Sequence, residues 1–96
     1  MREQNIEKYL TERMKKIGGK SYKWVSPGNS GVPDRLIIFP DGQIVFVELK
    51  APGNTPTKRQ RFVHRELRKL NCNVLVIDSK KQIDALIAKW GGADEV

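Results

Sequence analysis

Cysteine and histidine are almost absent from this chain: Cys72 and His64 stand alone among 96 residues. A single thiol cannot form an internal disulfide. Zinc centres built from Cys and His need three or four such ligands, so they are excluded by count. Cys72 leads into an apolar run, Val74-Leu75-Val76-Ile77, where a packed, unreactive thiol is its expected role. Nothing in the spacing brings His64 and Cys72 together as a dyad. Long hydrophobic runs are missing too. None approaches the roughly 20 residues that span a bilayer, and the polar start Met1-Arg2-Glu3-Gln4-Asn5 has no signal-peptide core behind it. The expectation is therefore a cytoplasmic protein that uses no membrane. Acidic residues are also short, with 11 Asp and Glu against 18 Lys and Arg, a formal net charge of +7. That imbalance points to a polyanionic partner and says nothing about chemistry. A length of 96 residues suits one domain, residues 1–96, with a modest core.

Apolar residues at Ile6, Tyr9, Leu10, Met14 and Ile17 put one stripe on a helix from Arg2 to Ile17, stopped by Gly18-Gly19. Tyr22, Trp24 and Val25 suggest a short strand, and Pro27-Gly28-Asn29-Ser30-Gly31 reads as a loop. Two apolar runs, Leu36–Phe39 and Ile44–Leu49, flank the turn signal Pro40-Asp41-Gly42. They predict a hairpin with a three-residue loop, its strands covered on both faces. Thr55 is the expected cap of a helix beginning at Pro56 and ending near Leu70 and Asn71, with Phe62, Val63, Leu67 and Leu70 facing inward. Asn73 to Ile77 reads as a buried strand. Ser79 with Gln82 makes a capping box for a last helix. Its stripe is Ile83, Leu86, Ile87 and Trp90, it ends at Gly91-Gly92, and the tail Ala93 to Val96 is expected to fray. The order predicts an α/β fold with a mixed sheet flanked by helices.

Chemistry concentrates in Pro33-Asp34 and Glu48-Leu49-Lys50. Side chains alternate along a strand, so Glu48 and Lys50 share a face. Both sit at the end of an apolar strand, where isolated charges are costly unless paired or used. If Phe39 pairs with Gln43 across the three-residue loop, Asp34 falls opposite Glu48 on that face. A two-residue Asp41-Gly42 turn would instead set Asp34 opposite Leu49, on the wrong face. In the first register two carboxylates and an ammonium converge. Such carboxylates repel, and a hard divalent cation, Mg²⁺ or Mn²⁺, relieves the repulsion. Lys50 could then orient an attacking water, stabilise charge on a phosphate, or serve as a base. The plain alternative is a strand-end ion pair between Glu48 and Lys50, with Asp34 a turn residue.

At these residues the chain resembles the PD-(D/E)XK nuclease superfamily and, more narrowly, the virus-type replication-repair nuclease (VRR-NUC) family. The matching stretches are Glu3 with Ile6, Gly31-Val32-Pro33-Asp34, Val47-Glu48-Leu49-Lys50-Ala51-Pro52, and Gln60, in order along nearly the whole chain. The resemblance implies an αβββαβα restriction-endonuclease-like core. It implies a metal-dependent DNA endonuclease whose Mg²⁺ or Mn²⁺ is held by Asp34, Glu48 and the backbone carbonyl of Leu49. Lys50 would be the catalytic lysine, Gln60 a further residue of the site, and Glu3 a ligand acting through water, with Glu7 the competing acid on the same helix. Stand-alone minimal members resemble Holliday-junction resolvases and act as homodimers. A homodimer and a branched DNA substrate are therefore implied, in the setting of a phage or prophage recombination enzyme in a bacterial or phage-infected cell.

The second helix carries Lys58, Arg59, Arg61, Arg65, Arg68 and Lys69 against one acid, Glu66. Basic side chains at a helix N-terminus favour phosphate, and phosphate contacts position DNA without reading its sequence. Lys58, Arg59, Arg61 and Arg65, with Lys23, are the candidate DNA contacts. Lys15, Lys16 and Lys20 could extend that surface. Two further readings stay open: a nuclease for flaps, ends or single strands, and a non-catalytic basic DNA-binding module. Trp24 and Trp90 are expected in the core.

Overall fold

A computed structural model describes residues 2–92; the expected fraying of residues 93–96 lies outside them. The chain runs α1 (Glu3–Lys16), β1 (Lys20–Lys23), β2 (Arg35–Ile38), β3 (Ile44–Leu49), α2 (Lys58–Lys69), β4 (Asn73–Ile77), α3 (Lys80–Ile87) and a π-helical turn (Ala88–Gly92). The four strands form one sheet in sequence order. The first three are antiparallel and β4 adds parallel to β3 after the α2 crossover, the mixed α/β arrangement expected. No described helix is long and apolar enough to cross a membrane.

The hairpin turn decides the register. Phe39 N–H donates to the Gln43 carbonyl at 2.9 Å and Gly42 N–H to the Phe39 carbonyl at 2.8 Å, closing a three-residue loop. Gly42 takes φ +91° there, a left-handed value that side chains with a Cβ rarely adopt. Ile38 pairs with Ile44 and Arg35 with Val47, so the next pair outward is Asp34 with Glu48.

The two sheet faces are covered differently. On one face Ile6, Leu10 and Met14 of α1 and Ile83, Leu86 and Ile87 of α3 close over Ile37, Phe39, Val45, Val47, Leu49 and Ile77. Each such side chain contributes about 1.5–3 kcal/mol on burial. Asp84 of α3 binds Tyr9 and Arg13 of α1 and ties the two helices together. Trp90, in the π-helical turn, is half-buried against this core, its ring 5.9 Å from Phe39.

The other face carries α2 alone, and several expectations change there. The helix is capped by Thr57, not Thr55: its side chain accepts from Gln60 N–H while the Gln60 side chain accepts from Thr57 N–H. Thr57-x-x-Gln60 is the same capping-box pattern that starts α3 at Ser79 and Gln82, and a reciprocal pair of bonds outcompetes a lone threonine. Phe62 and Leu70 do not face inward; they are 46% and 73% exposed. The one buried residue of α2 is His64. Coverage of this face is thin, with Ile44 exposed and Phe46 half-buried beside Trp24. The first strand begins at Lys20, earlier than expected, and Val25 is exposed beyond its end. As an outer strand bearing Lys20 and Lys23 it is guarded against edge pairing.

Candidate active site

The site lies where β2 begins and β3 ends. Asp34 and Glu48 share a sheet face, next in register beyond Arg35 and Val47, near enough for the Asp34 carboxyl to act on that of Glu48. Asp34 Oδ2 accepts from Leu49 N–H at 2.8 Å, which holds the Asp34 carboxylate against the outgoing strand. Glu48 is 1% exposed. Its Oε2 accepts from Gln60 Nε2 at 3.1 Å and lies 3.7 Å from Lys50 Nζ. Gln60 thus does two jobs with one amide: its oxygen caps α2 and its nitrogen holds Glu48. The other oxygen, Oε1, is 3.5 Å from His64 Nε2, and neither atom has a hydrogen-bond partner.

Burial, then the hydrogen bond and charge of Asp34, push the Glu48 carboxyl up to about 8, against the opposing pull of Lys50. The His64 imidazole is held below its usual value by burial and by the nearby cations Arg68 and Lys50. A carboxyl this reluctant to ionise, paired with a second acid and carrying an unsatisfied buried oxygen, fits a cation better than it fits an ion-pair role. Among the described residues no three Asp, Glu, His or Cys side chains group closely enough to cage a metal by themselves. Two carboxylates, a main-chain carbonyl and water are a donor set that Mg²⁺ accepts, since it keeps several waters and binds through one or two carboxylates.

The N-terminus of α1 reaches the same place. An open cleft of about 470 Å³ is lined by Glu3, Glu7, Lys23, Asp34 and Leu49, among others. Glu7 is held by the Arg35 guanidinium at 3.0 Å. Glu3 makes no ion pair among the described residues, and its charge adds to the field that keeps Glu48 protonated. Of the expected lysines only Lys23 reaches the cleft. Lys15 and Lys16 sit at the far end of α1, about 20 Å away at 1.5 Å per residue, and Lys20 pairs with Ile38 at the hairpin end of the sheet. Lys58, Arg59, Arg61 and Arg65 are exposed on α2, turned away from the Gln60 side that touches Glu48.

His64 is the residue whose part here the sequence reading missed. It follows Gln60 by four residues and so projects from the same helix face, the signal that could have found it. Its buried Nε2 faces the Glu48 carboxyl.

No family model matches the chain. It is 52% identical over 80 residues to "Putative nuclease p44" of Acyrthosiphon pisum secondary endosymbiont phage 1, covering 83% of this chain and 86% of that protein. It also superposes on a solved structure described as a VRR_NUC domain with a TM-score of 0.85 and 40% identity, covering 92% of this chain and 96% of the other.

Proposed function

Since the chain belongs to the VRR-NUC family of nucleases, we propose that it is a Mg²⁺- or Mn²⁺-dependent endonuclease acting on branched DNA, with Holliday junctions the leading substrate. The observation that carries the reading is the Asp34–Glu48 pair: two acids on one sheet face, one of them buried and held up to about 8, with Lys50 beside them.

Asp34, Glu48 and the Leu49 carbonyl would hold the cation, with Glu3 reaching it through water. The cation would lower the pKa of bound water and offset charge on a phosphodiester. The chain's own residues do the rest. Gln60 fixes the Glu48 carboxylate from one oxygen. Leu49 N–H fixes Asp34. Lys50 carries its ammonium to the edge of the same pair, where it can orient water or stabilise charge on the reacting phosphate. Lys23 in the cleft and the arginines of α2 supply positive charge for the DNA backbone. Two such sites in a two-fold dimer would suit cutting both strands of a symmetric junction.

The test is cleavage of four-way junctions, flaps and linear duplex at matched salt, with and without Mg²⁺, by wild type, Asp34→Asn and Lys50→Ala. Wild type should cut junctions only with the cation. Both variants should bind DNA and fail to cut it. Unchanged cutting by Asp34→Asn would remove the site. Preference for flaps or single strands would keep the nuclease and replace the substrate. Binding with no cutting under any condition would leave a DNA-binding module.

A further inference from the structure

A phenylalanine stands in the middle of the basic, solvent-facing side of α2. Phe62 is 46% exposed, two residues after Gln60 and so about 200° around the helix from the face that holds Glu48. It is not part of the apolar core cluster. The Arg59 guanidinium lies 5.5 Å from the ring centroid and that of Arg65 lies 6.0 Å from it. Arg59 is itself anchored: its Nε donates to the Ser30 carbonyl at 3.3 Å. The loop supplying that carbonyl is wedged onto the helix at Gly31, where an added Cβ would come within 3.0 Å of Val63 and 3.1 Å of the Arg59 carbonyl oxygen. The ring is thus held between cations beside a loop pressed against the helix.

We propose that Phe62 is a stacking platform for an unpaired nucleobase of the DNA, with Arg59 and Arg65 on the phosphates that flank it. This deepens the nuclease reading and rests on it. Every base has a π-face, so an exposed aromatic amid cations takes single-stranded or splayed DNA with little regard to sequence. A base inside a continuous duplex already stacks on its neighbours and offers no free face. The platform therefore selects substrates with an unpaired base over uninterrupted duplex. A second copy of this chain fits the patch poorly. A two-fold contact sets a surface against itself, and here that would bring Lys58, Arg59 and Arg65 against their own copies.

The experiment measures binding of a short labelled single strand, and its displacement by relaxed closed-circular duplex, at fixed salt in EDTA so that nothing is cut. Phe62→Ala should weaken single-strand binding about tenfold, within the range of base–aromatic stacking. It should leave the circular duplex unchanged, and Phe62→Trp should bind both like wild type. Equal weakening on both DNAs, or no weakening on either, overturns the platform and leaves the nuclease reading intact. A change in the sedimenting mass of free Phe62→Ala, at unchanged DNA affinity per protomer, overturns it in favour of a contact between copies. Failure of wild type to bind the single strand overturns the platform, while the nuclease reading stands or falls on junction cleavage with Mg²⁺.

Discussion

The two faces of the sheet are made from the same strands and do opposite work. Beneath α1 and α3 the buried side chains are apolar, and burial there is a gain at every position. Beneath α2 the best-buried groups are a carboxyl and an imidazole, Glu48 and His64, facing each other with an unsatisfied atom on each. An uncompensated buried polar atom costs on the order of 1–3 kcal/mol. One face therefore contributes the stability that the other spends to keep an acid dry and a helix lightly seated. Substitutions on the two faces should separate activity from stability.

The largest effect expected is on cutting. Glu48→Gln keeps the shape and the contact with Gln60 but removes the carboxylate, so junction cleavage should fall below detection while the melting temperature holds or rises. A cleaving Glu48→Gln would erase the contrast between the faces. On the opposite face, Leu10→Ala deletes a fully buried side chain of α1 and should cost about 2–5 kcal/mol. Denaturant titration reads that loss. The fraction still folded should cut at the wild-type rate, because Leu10 belongs to the apolar cluster beneath α1 and α3.

His64→Ala should sit between these extremes. Groups that orient metal ligands typically matter 10–100-fold in metal affinity, so Mg²⁺ titrations of cleavage should shift by that much with maximal rate less changed. His64→Asn, which restores a donor on the same side, should recover part of the shift. Equal affinity in all three proteins would make His64 a packing residue only.

Where the sequence reading succeeded and where it slipped follow the same division. Strand alternation and the Pro40-Asp41-Gly42 loop narrowed Asp34 to two registers, opposite Glu48 or opposite Leu49, and the Phe39–Gln43 bond decides for Glu48; period and turn signals are local properties of the chain, but one residue of turn length is not. The α1 and α3 stripes were readable because an apolar face needs only apolar partners. On α2 the assumption that apolar residues point inward placed Phe62 and Leu70 in the core. A helix laid over a buried carboxyl must instead offer donors, and Gln60 and His64 take that position. That requirement arises from β3, twelve and sixteen residues back, and no window on the helix itself contains it. Thr57 was legible and overlooked, since its capping box matches the one recognised at Ser79.

The smallest effect is on stability against pH, and its sign is set by Glu48. The folded carboxyl titrates at about 8 against 4.5 for an ordinary one, so between these values the native state binds a proton that the unfolded state has lost. Stability from this group is complete below about 4.5 and declines as pH rises, with the decline finished above 8. His64 works the other way. Its depressed value favours the folded state above 6.5 and costs stability as pH falls below it, so the two slopes oppose each other in mildly acidic solution. From about pH 7.5 upward His64 is neutral in both states and Glu48 acts without that opposition. The metal-free protein should therefore lose a few degrees of melting temperature between pH 7.5 and 8.5, taking about 4–8 °C per kcal/mol for a domain of this size. Glu48→Gln should flatten that slope and Mg²⁺ should reverse it, because the cation competes with the proton for the same oxygens. An equal slope in wild type and Glu48→Gln would mean that the buried acid is already ionised without a metal, and the sheet face under α2 would then be far wetter than its burial implies.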